Sequence, residues 1–81
     1  MRVRLLFFAV YRDLAGSAAL ELDVPAGTTG SAVVSALRAR GGGLARLPAQ
    51  PLIAVNQAYA TLDTELVEGD EVALLPPVAG G

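Results

Sequence analysis

Hydrophobic positions recur with two periods along this chain, and the change from one to the other marks its elements. From Val3 to Phe8, β-branched and aromatic residues set Val3, Leu5 and Phe7 on one side and Arg4, Leu6 and Phe8 on the other. This predicts a strand that is apolar on much of both faces. Leu20, Leu22 and Val24 then alternate with Glu21 and Asp23, as in a strand with one solvated face. The stretch from Tyr11 to Ser17, containing Gly16, reads as the turn between the two strands.

Pro25, Ala26 and Gly27 end the second strand, and the period lengthens. Thr28 or Thr29 offers a hydroxyl to cap a helix through the alanine-rich run to Arg40. About twelve residues make such a helix about 18 Å long. Val33 and Leu37, with Val34 beside them, form one apolar stripe suited to lie across a sheet. Arg38 and Arg40 fall in the last turn, where positive charge complements the helix dipole. Gly41, Gly42 and Gly43 end the helix and predict a linker that need not be rigid, tethered to the core by Leu44 and Leu47. Pro48 and Pro51 forbid another long helix.

Leu52 to Val55, closed by Asn56 and Gln57, predicts a strand, and Tyr59 to Leu66 predicts at most one short edge strand. Glu68, Gly69 and Asp70 make a turn before a last strand from Glu71 to Leu75, which Pro76 and Pro77 stop. Hairpin, helix, strand, small excursion and strand belong to the α+β class, with a mixed sheet of four to five strands and one main helix packed on one face. With the first and last strands adjacent and parallel in the centre, this is a β-grasp arrangement. The chain of 81 residues is expected to form a single domain over 1–81, with residues 76–81 as a flexible C-terminal tail ending in Gly-Gly.

Composition narrows the chemistry. A content of 53% hydrophobic and 17% charged residues is too apolar for disorder. Six arginines against eight acids give a net charge of -2 without a basic run, so nucleic acid is not an expected partner. The apolar start is too short and too soon charged to cross a bilayer, so no membrane association is expected and a cytoplasmic location is. The chain has no cysteine and no histidine, which removes disulfides, thiol nucleophiles and imidazole bases together. No metal site is expected, and the glycine runs lack the residues of a phosphate loop. Asp63, Glu65, Glu68, Asp70 and Glu71 make the second half acidic, read first as solvated surface, and Tyr11 and Tyr59 read as packing or rim residues.

Two features remain to carry function. The terminus Pro76-Pro77-Val78-Ala79-Gly80-Gly81 ends in two residues without β-carbons, so a narrow channel in another protein can close around it and reach the final carbonyl. Extended, its length is on the order of 20 Å. The second feature is the sheet face turned away from the helix, where Leu6, Phe8, Ala54, Ala73 and Leu75 are expected to form an apolar partner interface. Leu75 links the two, since docking the face aims the tail. The residues alone therefore suggest a carrier whose C-terminal carboxyl is the reactive group, with a plain binding module as the other possibility.

Leu6-Phe7-Phe8-Ala9, Arg12 with Leu14 and Gly16, Ala54-Val55-Asn56-Gln57, and Gly69-Asp70-Glu71-Val72-Ala73 leading into Pro76-Pro77-Val78 and Gly80-Gly81 carry a resemblance over essentially the full length. The chain resembles the MoaD family, the ubiquitin-like sulfur-carrier small subunits of molybdopterin synthase. The glycine-rich linker departs from the family pattern, and Ala79 occupies its variable place.

The resemblance implies no permanently bound cofactor. It implies that an E1-like (MoeB-like) adenylyltransferase uses ATP to adenylate the Gly81 carboxylate, and that a sulfur donor converts it to a thiocarboxylate. Gly81 would then be the catalytic sulfur donor within the large subunit (MoaE-like) of a heterotetrameric synthase, turning cyclic pyranopterin monophosphate (precursor Z) into the molybdopterin dithiolene. The catalytic side chains are expected on the large subunit. Two alternatives share the ending: a thiamine-pathway sulfur carrier, and a ubiquitin-like modifier conjugated through Gly81.

Overall fold

The computed structural model of the chain describes residues 1–77; Val78, Ala79, Gly80 and Gly81, on which the expected reactive end falls, lie outside the described residues. The elements in order are β1 (Arg2–Phe7), α1 (Val10–Ala15), β2 (Ala19–Asp23), α2 (Gly30–Ala39), a 3₁₀ helix (Gly42–Arg46), β3 (Leu52–Val55), β4 (Ala58–Ala60) and β5 (Glu71–Leu75). The sheet order is β2-β1-β5-β3-β4. β1 and β5 run parallel in the centre, and every other pair is antiparallel. This is the β-grasp arrangement that the element order implied.

Burial follows the alternation. Val3, Leu5 and Phe7 of β1, Ile53 of β3, and Val72 and Leu74 of β5 are at most 2% exposed and pack with Val33, Val34 and Leu37 of α2. Fully burying such side chains contributes roughly 1.5 to 3 kcal/mol each. Leu47 and Leu66 close the margins of this core.

Thr29 is the cap of α2: its Oγ1 accepts from the Ala32 N–H at 3.2 Å. Thr28 instead donates its hydroxyl to the Pro25 carbonyl at 2.7 Å. The helix has 10 residues, shorter than the expected run, because it starts only at Gly30 and Arg40 already caps its end. Gly30 lies under β3, where a β-carbon would come within 2.7 Å of Ile53 Cδ1.

Two expectations are corrected. The stretch expected to be only a turn holds α1, a helix of 6 residues. So short a helix has no stability of its own. Tyr11, 6% exposed, pins it into the core, and Gly16 (φ 77°) ends it in the left-handed conformation, its N–H donating to the Arg12 carbonyl. The first strand consequently stops at Phe7, and Ala9 (φ 51°, ψ -128°) turns the chain into α1.

The glycine linker is likewise not a loose loop. It becomes the 3₁₀ helix, and Gly43 abuts α1 so closely that a β-carbon would overlap the Leu14 carbonyl.

β3 and β4 are joined by Asn56 (φ 51°) and Gln57 (φ 72°), a two-residue reversal with both central residues at positive φ. Asn56 earns this conformation through its side chain. Its Nδ2 donates to Asp70 Oδ1 at 2.8 Å, and its Oδ1 accepts from the Glu71 N–H at 3.0 Å. Asp70 Oδ2 also accepts from the Val67 N–H at 2.8 Å, so this carboxylate, 7% exposed, ties the β3–β4 turn to the turn before β5.

Candidate functional site: the open sheet face and the root of the tail

Because β1 and β5 are parallel, with Phe7 opposite Leu74, both strands end at the same edge of the molecule. Phe8 follows one strand there and Pro76 the other. Strand alternation sends the neighbours of the core residues to the face opposite α2.

The pairing places Ala19, Leu6, Ala73, Ala54 and Tyr59 in one row across all five strands. One step toward the tail, Leu75 stands opposite Leu52, on the side to which Phe8 leads. One step away from it, Arg4 is flanked by Glu21 and Glu71. The face is therefore apolar at its tail end and charged at the other.

The expected interface residues all fall on this surface, with differing exposure. Phe8 is 45% exposed, while Leu6, Ala73 and Leu75 are half-buried. Ala54 is 8% exposed, so it forms the floor between its neighbours rather than a contact. Sequence reading missed Leu52, 42% exposed, and read Tyr59, 73% exposed, only as a packing or rim residue. Leu52 shares the parity of Ala54, so alternation alone contained that signal; Tyr59 needed the hairpin register.

Pro76 is half-buried and Pro77 exposed at the root of the tail. Beside them lies an open groove of about 450 Å³ lined by Tyr11, Pro48, Gln50, Pro51, Leu52 and Pro77. Its lining is mainly apolar and joins the sheet face through Leu52.

The described residues hold no group of three or more metal-ligating side chains. Every buried side-chain polar atom among them has a hydrogen-bond partner. Among the described residues no helix is long and apolar enough to cross a membrane.

The ion pairs lie away from this site. Arg2 Nε donates to Asp23 Oδ1 at 3.0 Å, and Arg2 Nη1 approaches Glu21 Oε2 at 3.6 Å. The hydrogen bond from Arg2, and then its charge, hold the Asp23 carboxyl below the usual carboxylate range, and Arg2 is raised in turn. Both groups are exposed, so the pair trims the β1–β2 edge.

At its tail end this site presents apolar side chains beside Pro76 and Pro77, a surface suited to docking. A mixed sheet with parallel central strands, one main helix laid across it and a last strand leading directly into a C-terminal tail defines the ubiquitin-like class of β-grasp proteins. The ThiS family model matches residues 5–81, and the chain belongs to this family of β-grasp sulfur carriers.

It is 39% identical to the molybdopterin synthase sulfur carrier subunit of Aedes aegypti, over 100% of this chain and 90% of that one. It is 40% identical to that of Escherichia coli K12, over 98% and 99%. Among solved structures, a Pyrococcus furiosus protein assigned as molybdopterin converting factor subunit 1 superposes with a TM-score of 0.84 at 30% identity, covering 96% of this chain and 99% of that one. One chain of a complex of subunits 1 and 2 of the molybdopterin-converting factor from Helicobacter pylori matches with a TM-score of 0.70 at 27% identity, covering 100% of this chain and 100% of that one. Small archaeal modifier protein 1 of Haloferax volcanii matches with a TM-score of 0.74 at 28% identity over 95% and 98%. The expected β-grasp class and the resemblance to MoaD-type sulfur carriers are both borne out.

Proposed function

We propose that this protein carries sulfur for molybdopterin synthesis as a thiocarboxylate on Gly81. The observation that carries the reading is that the family match runs through Gly81, in a chain whose relatives bear the name of the synthase's sulfur carrier subunit. The geometry supports it: the last strand ends beside an apolar face, so a partner gripping that face receives the tail at a defined place.

The chemistry follows from the terminus. A free carboxylate is a poor electrophile, so an E1-like adenylyltransferase joins it to AMP and releases pyrophosphate from ATP. A persulfide on a donor protein then attacks the acyl carbon and displaces AMP, and a second donor thiol cleaves the acyl disulfide, leaving a disulfide on the donor and the thiocarboxylate on Gly81. The resulting thiocarboxylate is anionic and nucleophilic at neutral pH. Within the large subunit its sulfur attacks a carbon of the cyclic pyranopterin monophosphate, the new carbon–sulfur bond replacing a carbon–oxygen bond whose oxygen leaves with the phosphate or as water. A second thiocarboxylate supplies the second sulfur of the dithiolene. Water cleaves the acyl–sulfur bond, leaving sulfur on the pterin and a carboxylate on Gly81.

Since the chain holds no histidine, cysteine or lysine, proton transfers and substrate binding belong to the large subunit. The two-subunit architecture of the Helicobacter pylori complex supports that division. A cytoplasmic site of action and the single-domain organisation over 1–81 are part of this reading.

The likeness to small archaeal modifier protein 1 favours a second use of the same end, formation of an amide with a lysine of another protein. Intact-mass analysis of the chain from its native host separates the two. The carrier reading expects the exchange of one oxygen for sulfur, lost on incubation with the large subunit and precursor as dithiolene appears. Deleting Gly81 must abolish it. Covalent conjugates with no thiocarboxylate would establish the modifier instead, and full sulfur transfer after deletion would overturn both.

A further inference from the structure

The tail and the open sheet face leave the molecule's charges without a role, and these charges are segregated. Arg12 lies on α1, Arg38 and Arg40 close α2, and Arg46 closes the 3₁₀ helix. All four are exposed, and among the described residues none takes part in an ion pair; Asp13 is the one acid on these elements. Arg2 and Arg4 stand instead on β1, among the other acids, where Arg2 is held by Asp23 and Glu21.

The arginine-bearing elements meet at the tail end. The 3₁₀ helix touches α1 at Gly43 and Leu14, and it continues from α2 through Gly41, whose N–H donates to the Arg38 carbonyl at 3.3 Å. Arg12 follows Tyr11, a wall of the groove, and Arg46 stands two residues before Pro48, another wall; Pro77 completes it. The acids gather at the other end. Glu71 begins β5, Glu68 accepts the Arg2 N–H, and Glu65 pairs with Thr29 at the start of α2. β1 runs from the acidic end to the tail end in 6 residues, about 20 Å at about 3.3 Å each, so the two ends lie more than one Debye length apart at about 0.1 M salt, where that length is about 10 Å. A partner at the tail end therefore senses the arginines and not the net charge.

We infer that the groove and its arginines form a second docking element, made for an acidic segment of the protein that receives the tail. An apolar side chain of that segment fills the groove against Tyr11, Pro51 and Leu52, and its carboxylates meet Arg12 and Arg46. This inference rests on the reading that the tail enters a partner. Exposed arginines on the elements that adjoin an apolar groove match a segment carrying carboxylates beside an apolar anchor. The groove is continuous with the open sheet face at Leu52, so one partner covers both. A nucleic-acid backbone fits less well, because the groove is lined mainly by apolar side chains, which a phosphodiester chain leaves unfilled.

The test measures association of the full chain with the adenylyltransferase and with the large subunit of the same organism, by stopped-flow across a salt series. For whichever of them uses this element, Arg12→Glu with Arg46→Glu should slow association roughly 10-fold or more at low salt and flatten the salt dependence, with dissociation changed by about 2-fold at most. Glu65→Lys, at the far end, should leave the rate near the wild-type value.

Equal rates for wild type and the double variant with both partners would overturn the inference. So would tight binding of a short DNA duplex abolished by the same double variant, which would assign the arginines to phosphates. Circular dichroism confirms that each variant is folded. Thiocarboxylate formation at saturating enzyme is read separately: its absence in the wild type refutes the sulfur-carrier reading, whereas its persistence in the double variant with unchanged rates refutes only the docking element.

Discussion

Leu75, the last residue of β5, lies directly opposite Leu52, the first residue of β3, across an antiparallel pair. The pairing unites the exit of the tail, the open sheet face and the groove beside Pro77. A partner that buries this leucine pair fixes the origin of the tail without touching the tail itself.

Leu75→Asp and Leu52→Asp should each weaken binding to the large subunit by roughly 10- to 100-fold, since each forfeits the burial of a leucine and places a carboxylate in an apolar contact. Titration calorimetry measures this. Because Leu52 is exposed and Leu75 half-buried, Leu52→Asp should lower the Tm least. Unchanged affinity in both variants would discard docking through this face.

Gly43→Ala should destabilise the protein by about 1 to 3 kcal/mol, because the added methyl meets backbone, which cannot rotate aside. At about 4 to 8 °C per kcal/mol for a domain of this size, the loss is visible in a thermal melt. Gly42→Ala probes the neighbouring position, where open space surrounds the glycine but φ is 59°; its cost should be about 1 to 2 kcal/mol, from the backbone alone.

Asp70→Ala removes the acceptor of the Val67 N–H and of Asn56 Nδ2 at a buried site, so a loss of about 2 kcal/mol is expected. Asn56→Gly keeps the positive φ while deleting the side chain, and thereby isolates the hydrogen bonds from the backbone strain. Chemical denaturation of the two single variants and the double variant should show strong non-additivity, as expected for groups that share one bond.

Asp23 supplies the pH dependence. Its carboxyl is held below the ordinary range in the folded state, so its stabilising contribution is whole above the unfolded-state value of about 3.9 and is lost as pH falls through the folded value. The Tm advantage of wild type over Asp23→Asn should therefore be greatest near neutral pH and vanish in strong acid. Because the pair is exposed, ~1 M NaCl should shrink the advantage at every pH.

Much of the fold was legible because it is written in local periods. The limits of β3 and β5 coincide with the runs Leu52–Val55 and Glu71–Leu75, which glycine, proline and asparagine bracket in the sequence. The stripe Val33, Val34 and Leu37 is the buried stripe. What escaped was short or aperiodic. The six residues of α1 are too few to show a helical period, and Tyr11 stabilises them only by reaching a core assembled elsewhere.

The alternation along β1, β3 and β5 sorted their residues into two faces from sequence alone, since side-chain direction is a property of the backbone at each position; the face of Tyr59 needed the hairpin register. The ending in Gly80 and Gly81 likewise stands in the sequence itself. Only the tertiary structure decided that Gly43 must be glycine, that Asn56 and Asp70 share a bond across 14 positions, and that α1 and the 3₁₀ helix, which carry Arg12 and Arg46, meet at Leu14 and Gly43. Each of these depends on segments far apart in the chain being brought into one place, and local pattern carries no record of that distance.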